Sequence, residues 1–240
     1  MTPFKTIRAR AETRKGGAKE LAELLPNVPK PSALAKIADD RVLAEMTKRI
    51  FCSGFVWSVI DKKWPSFEKA FLGFKPGKLL MQPDEYWERL TSDAAIVRHP
   101  GKIMSVRDNA AYVAAVSKEY GSFGKFLASW PADDQVGLLD HLKKNGSRLG
   151  GMTGQYFLRF IGRDGFVTSA DVIACLRDAG LDVAANPTSK RDLAKIQQVF
   201  NDWASETGLP RTHLSRICAM SVGENYDAAT LRTRGPNDEM

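Results

Sequence analysis

Apolar residues in this chain recur at three- and four-residue steps, and no stretch alternates them with β-branched enrichment. In Val42, Leu43, Met46, Ile50 and Phe51 that spacing puts one apolar face on a helix. The rhythm continues through Phe55, Val56, Val59 and Ile60 to a stop near Trp64 and Pro65. Ser66 then suits an N-cap ahead of Phe67, Ala70 and Phe71. Pro100 suits the first position of a longer helix running through Ile103, Val106, Ala110, Val113 and Val116 to Tyr120. Further helices are expected over 123–130, 133–145, 154–163, 169–179, 189–206 and 211–221. The chain reads as all-α, a compact multi-helix fold with about ten helices and short connections.

A content of 43% hydrophobic residues in 240 supplies a core and excludes a wholly disordered chain. Lys and Arg outnumber Asp and Glu by 35 to 28, a net charge of +7 that points towards a polyanionic partner. Cys52, Cys175 and Cys218 form no CxxC pair, which fits a reducing compartment. His99, His141 and His213 lie far apart, without metal-ligand spacing. The opening MTPFKTIRARAETRKGG has no apolar h-region, so no secretory signal is expected. No run approaches the roughly 18 apolar residues of a membrane span. A soluble, cytoplasmic monomer is expected.

Residues 1–31 read as a basic N-terminal arm and linker, with a short helix over Ala18–Leu25 before the proline-rich LPNVPKPS. The arm is either simply solvated or adds phosphate contacts. Residues 32–226 read as the helical domain, and 227–240 as a frayed tail.

The informative segment is LGGMTGQYFLRFIGRDGFVTSADVIACL, residues 149–176. Gly150 and Gly151 precede a helix whose N-terminus presents unpaired N–H groups and a partial positive charge. Together they make either an ordinary turn or a phosphate cradle. Before them, Asp140–Gly146 reads as the end of a helix with Lys143 and Lys144 in its last turn. Helix, glycine-rich turn and helix therefore follow in a short span. Beyond the second helix, Thr168 or Ser169 can cap the next, placing Asp171 in its first turn.

This segment resembles the helix-hairpin-helix DNA glycosylases, and in particular their DNA-3-methyladenine glycosylase I branch. Leu149–Gly154 lies where that superfamily has its L-P-G-V-G turn. Asp171 matches the superfamily's catalytic aspartate, and Gln155 falls where bifunctional lyase members carry a nucleophilic lysine. The branch itself is suggested by Cys52–Trp57 and Lys62–Phe71, similar to a G-L-S-W segment and its downstream helix. Phe74–Pro76 resembles F-D-P, and Ile96–Ile103 with Asn109–Ala110 resembles I-I-R-x-x-x-K-I and N-A. These stretches keep the family's order over roughly residues 40 to 180. The family's N-terminal C-x-W opening and zinc-binding residues have no counterparts, so no zinc and no other cofactor is expected. The acid that reads the base before G-L-S-W is also missing, the neighbourhood being Lys48–Arg49–Ile50–Phe51.

The resemblance implies a monofunctional glycosylase that flips a damaged base from duplex DNA, an alkylated purine such as 3-methyladenine, in base excision repair. Trp57, Phe55 and Tyr156 are the candidate base pocket, since aromatic faces stack bases and attract a cationic one. Phe51 reads as core. Asp171 is the candidate catalytic carboxylate, stabilising positive charge on the sugar; the plainer role of such an acid is compensation of the helix dipole. Gly151, Met152, Thr153, Gly154 and Gln155 would hold a phosphate, and Arg98 and Lys102 another, unless those two are only surface charges. The alternative is a catalytically silent helix-hairpin-helix module that binds DNA, or an all-α interaction domain in which the hairpin only packs.

Overall fold

The structure, a computed structural model, describes residues 1–234, with side chains through Leu231. Its helices are α1 Phe4–Lys15, α2 Ala18–Glu23, α3 Pro31–Leu34, α4 Asp39–Cys52 and α5 Trp57–Ala70. Then come α6 Pro76–Leu80, α7 Asp84–Ser92, α8 Pro100–Tyr120, α9 Phe123–Ser129 and α10 Gln135–Asn145. The last are α11 Gly151–Phe160, α12 Ala170–Asp178, α13 Lys190–Thr207, α14 Arg211–Ser221 and α15 Ala228–Arg234. No strand occurs among the described residues, as the periodicity requires. No described helix is long and apolar enough to cross a membrane.

The chain divides into two compact units. One comprises Pro29–Pro131 with Gly137–Arg163. In it α4 packs against α8, α11 and α5, and α8 also packs against α6, α7 and α9. Phe51, Phe67, Phe71, Phe74, Trp87 and Leu149 fill its core. Arg163 closes the unit by donating to the carbonyls of Leu127, Trp130 and Pro131.

The other unit comprises Met1–Val28, Ala132–Val136 and the chain from Asp164 onward. Here α14 is central, with α1, α12 and α13 packed on it. Phe166 stacks on Phe200 with ring centroids 4.8 Å apart, inside a core that includes Leu176 and Leu214.

Four local expectations change. Residues 1–31 read as a solvated arm, but Phe4–Lys15 form α1, whose Phe4, Ile7 and Ala11 are buried. Those three lie at three- and four-residue steps among the basic residues, so a narrow apolar stripe hides in a charged segment. The helical rhythm from Val42 to Trp64 is broken at Ser53–Val56, where Gly54 has φ +73° and the flanking backbone is extended. Phe55, Val56 and Val59, which carried the rhythm across, face solvent. The stop expected at Pro65 is absent: Pro65 lies inside α5, at the cost of an N–H for the carbonyl of Asp61. Finally α11 starts three residues before the expected 154, because Gly151 itself opens it. Of the tail at 227–240, residues 235–240 lie outside the described residues.

Phe4 is 1% exposed and its ring lies 5.1 Å from that of Trp203. Phe4→Ala should therefore destabilise the protein by about 3–5 kcal/mol, read from denaturant unfolding. A solvated arm would show no change.

Candidate functional site

The glycine-rich turn between α10 and α11 is held from beneath by one side chain. Asn109, fully buried on α8, donates from Nδ2 to the Ser147 carbonyl at 3.0 Å and accepts at Oδ1 from the Ser147 N–H at 2.8 Å. Leu149 is fully buried and anchors the far side of the turn. Gly154 packs so closely that a β-carbon there would come 2.4 Å from the Leu149 carbonyl oxygen. Gly151, in contrast, is exposed with φ +58° and open space where a β-carbon would sit. The backbone at the start of α11 is thus bare. Met152 and Thr153 follow half-buried, while Gln155 turns inward and is only 6% exposed. Gln155 is the fifth residue of α11, past the four whose N–H groups a helix leaves unpaired, so its backbone does not belong to the exposed amide set.

Beside the turn lies a pocket of about 220 Å³, lined by Ile50, Ser53, Lys102, Arg148, Gly150 and Thr153. Arg148 has φ +61°, a left-handed conformation, and its Nε donates to the Gly101 carbonyl at 2.9 Å. This fixes an exposed guanidinium between the start of α8 and the turn. Lys102 is not a surface charge. It is 6% exposed, and its ammonium donates to the carbonyls of Ser53 at 2.5 Å and Phe51 at 3.2 Å. A cation at the C-terminal end of α4 is favoured by the helix dipole. Burial, with repulsion from Arg148, pushes its pKa below the usual lysine value. Arg98 is exposed, just before the His99 cap of α8. Pocket, amides and Arg148 together make a site suited to an anion.

A second cluster joins α4, α5 and α11. Trp57 meets Tyr156 edge-on at 5.5 Å and Phe160 at 5.7 Å. The Arg49 guanidinium lies over both Phe160, at 3.9 Å from its centroid, and Trp57, at 5.0 Å. Glu45, one turn earlier on α4, brings Oε1 to 2.8 Å from the Arg49 Nε. Burial pushes the Glu45 carboxyl above its ordinary pKa, and Arg49 pulls it partly back. Phe51 is buried in the core against Phe67. Phe55 does not join this cluster. It is 39% exposed and lies on the Lys102 side, its centroid 4.5 Å from that ammonium.

Asp171 sits in the first turn of α12, capped by the Ser169 hydroxyl, in the other unit. It is partly exposed, and no ion pair neutralises it among the described residues. Gly223 lies against it: a β-carbon there would come 2.4 Å from Oδ1. Arg14 on α1 fixes that loop by donating to the carbonyls of Val222 and Gly223.

Sequence reasoning missed Arg148, Arg49, Glu45 and Gly223. Arg148 had a signal, being the cation next to the glycine pair. Arg49 had one as well, lying in the Lys48–Phe51 stretch where the base-reading acid is missing, whereas Glu45 and Gly223 become neighbours of site groups only once the helices fold. The Asn109 clamp yields a test. Asn109→Ala strands the Ser147 N–H and carbonyl and should cost roughly 1–3 kcal/mol in denaturant unfolding. Asn109→Asp keeps the acceptor for the Ser147 N–H but sets a buried carboxyl oxygen against the Ser147 carbonyl, and should cost at least as much.

Residues 35–154 match the profile of the methyladenine glycosylase family. Over 78 residues the chain is 32% identical to DNA-3-methyladenine glycosylase 1 of Escherichia coli (strain K12), covering 32% of this chain and 42% of that protein. The chain thus matches less than half the length of that relative. Among solved structures it is similar to 3-methyladenine DNA glycosylase I from Staphylococcus aureus, at 24% identity and TM-score 0.47, covering 64% of this chain and 85% of that one. It is also similar to the Methanocaldococcus jannaschii 8-oxoguanine glycosylase/lyase solved with DNA, at 15% identity and TM-score 0.49, covering 89% and 95%. With α4, α5, α8 and the start of the hairpin helix all inside the matched half, this chain belongs to the methyladenine glycosylase family.

Proposed function

We propose that the chain is a monofunctional DNA glycosylase, acting as a cytoplasmic monomer in base excision repair, that excises alkylated purines of the 3-methyladenine kind from duplex DNA. The observation that carries this reading is the family match over residues 35–154, which contains both Trp57 and the glycine-rich turn. The pocket beside that turn supports it, with bare amides at Gly151 and a guanidinium at Arg148 suited to a DNA phosphate.

Base removal first takes the nucleotide out of the stack, at a cost of a few kcal/mol that is lower for a damaged pair. Stacking on an aromatic face returns about 1–3 kcal/mol. Trp57 is the half-exposed indole for that role, backed by Tyr156. As the C1′–N bond breaks, its electron pair leaves with the purine and positive charge develops on the sugar. The Asp171 carboxylate stabilises that charge and orients the water that adds at C1′. The water's proton passes to solvent. No lysine stands on the first turns of α11 to attack the sugar, so strand cleavage is not part of the reaction.

Incubation with methylated duplex DNA and assay of released bases tests the reading. Wild type should release alkylated purine, and Asp171→Asn should lose at least about 100-fold in rate while still binding DNA. Binding without release by wild type would leave a silent DNA-binding module. Arg148→Ala should weaken binding about equally on all sequences and reduce the slope of log affinity against log salt by about one.

A further inference from the structure

Arg49 is a buried cation with unfinished hydrogen bonding. Its side chain is 4% exposed, against 21% for Glu45. Although its Nε stands 2.8 Å from Glu45 Oε1, the two are misaligned, and neither completes a hydrogen bond. The Nη1 group is buried without a partner as well. Unsatisfied buried donors cost stability and are rare in native structures, so such a group points to an acceptor that arrives from outside. This one lies over the rings of Trp57 and Phe160, among the aromatic residues that stacking requires.

The chemistry of the missing acceptor follows from the donor. A guanidinium carries only N–H groups in a planar fork. A 6-oxopurine offers two acceptors, O6 and N7, on one edge, which match that fork; a 6-aminopurine puts an N6 donor in place of one of them. An adenine-type base keeps N7 as an acceptor but sets its N6 donor against the other arm of the fork, so only one of the two contacts forms. Lys48 does not compete for the base edge, since its ammonium pairs with Asp61 at 2.6 Å. The aromatic faces stack either purine equally well.

We infer that Arg49 is a specificity residue that makes this site take alkylated 6-oxopurines, 3-methylguanine ahead of 3-methyladenine, by donating to the O6 and N7 edge of the flipped base. The inference rests on the glycosylase reading above and narrows its substrate class. Glu45 has a supporting part: it balances the guanidinium charge, so a cationic alkylated base is not repelled by a lone positive group.

Duplex DNA treated with a methylating agent carries both lesions, and chromatography of the released bases reads both in one tube. Per lesion, wild type should release 3-methylguanine about tenfold faster than 3-methyladenine, the discrimination of one good two-point contact. Arg49→Met removes the donors and should lower that ratio about tenfold. Arg49→Lys keeps a cation but loses the fork and should also lower it, and it decides the matter if the methionine variant does not fold. A merely structural role for Arg49 would slow both products alike and leave the ratio unmoved. Wild type favouring 3-methyladenine, or a ratio unchanged in the variants, overturns the inference while leaving the glycosylase reading intact. Release of neither base by wild type overturns both.

Discussion

One buried amide holds the turn on which the anion site depends. Asn109 pairs with both polar atoms of Ser147, so the backbone leaving α10 is fixed at a single register before it reaches the glycine pair. With Ser147 fixed, Leu149 reaches the core, Arg148 is forced outward in a left-handed conformation, and Gly154 rests on the Leu149 carbonyl. The amides at the start of α11 are then presented without side-chain cover. A polar side chain deep in an apolar helix is costly unless both its groups are satisfied, and here both are satisfied by one residue.

The unit built on α4 and α8 buries Lys102 and Arg49 in addition to Arg163, and the first two solve the problem differently. Lys102 finds two carbonyls at the end of α4, which take two of its three N–H groups. Arg49 finds a carboxylate at short range but out of line, and two aromatic faces. The first arrangement reads as architecture, joining α8 to the end of α4. The second leaves hydrogen-bonding capacity unspent in a place where aromatic rings gather. The contrast shows why burial alone does not separate a structural charge from one awaiting a ligand; the partner geometry does.

Much of this was readable in the residues. The helical class followed from spacing alone, and the turn at 149–154 from its glycines. Pro100 at the head of α8 and Ser169 at the head of α12 follow local rules that tertiary contacts do not override. What failed was inference from apolar rhythm where the apolar residues are not core. Phe55, Val56 and Val59 continue the pattern of α4 yet face solvent, hiding the break at Gly54. The opposite error concerned Phe4, Ile7 and Ala11, whose stripe is too narrow to stand out among arginines and lysines. In the candidate site, Trp57 and Tyr156 do meet, but Gln155 and Lys102 turn inward and Arg49 lies beside the indole. Side-chain direction at a helix junction depends on partners distant in sequence, and no local spacing encodes it.

Gly151 combines two properties that normally exclude each other: ample room and a backbone torsion hostile to natural side chains. Substitutions there would be judged harmless by volume and harmful by handedness. The mirror-image amino acids have the reverse preference, since positive φ is their ordinary helical region. A D-alanine introduced at this position by chemical ligation would keep the corner's shape, meet no neighbour, and narrow the freedom of the unfolded chain. Stereochemistry, rather than size, is what this corner of the molecule demands.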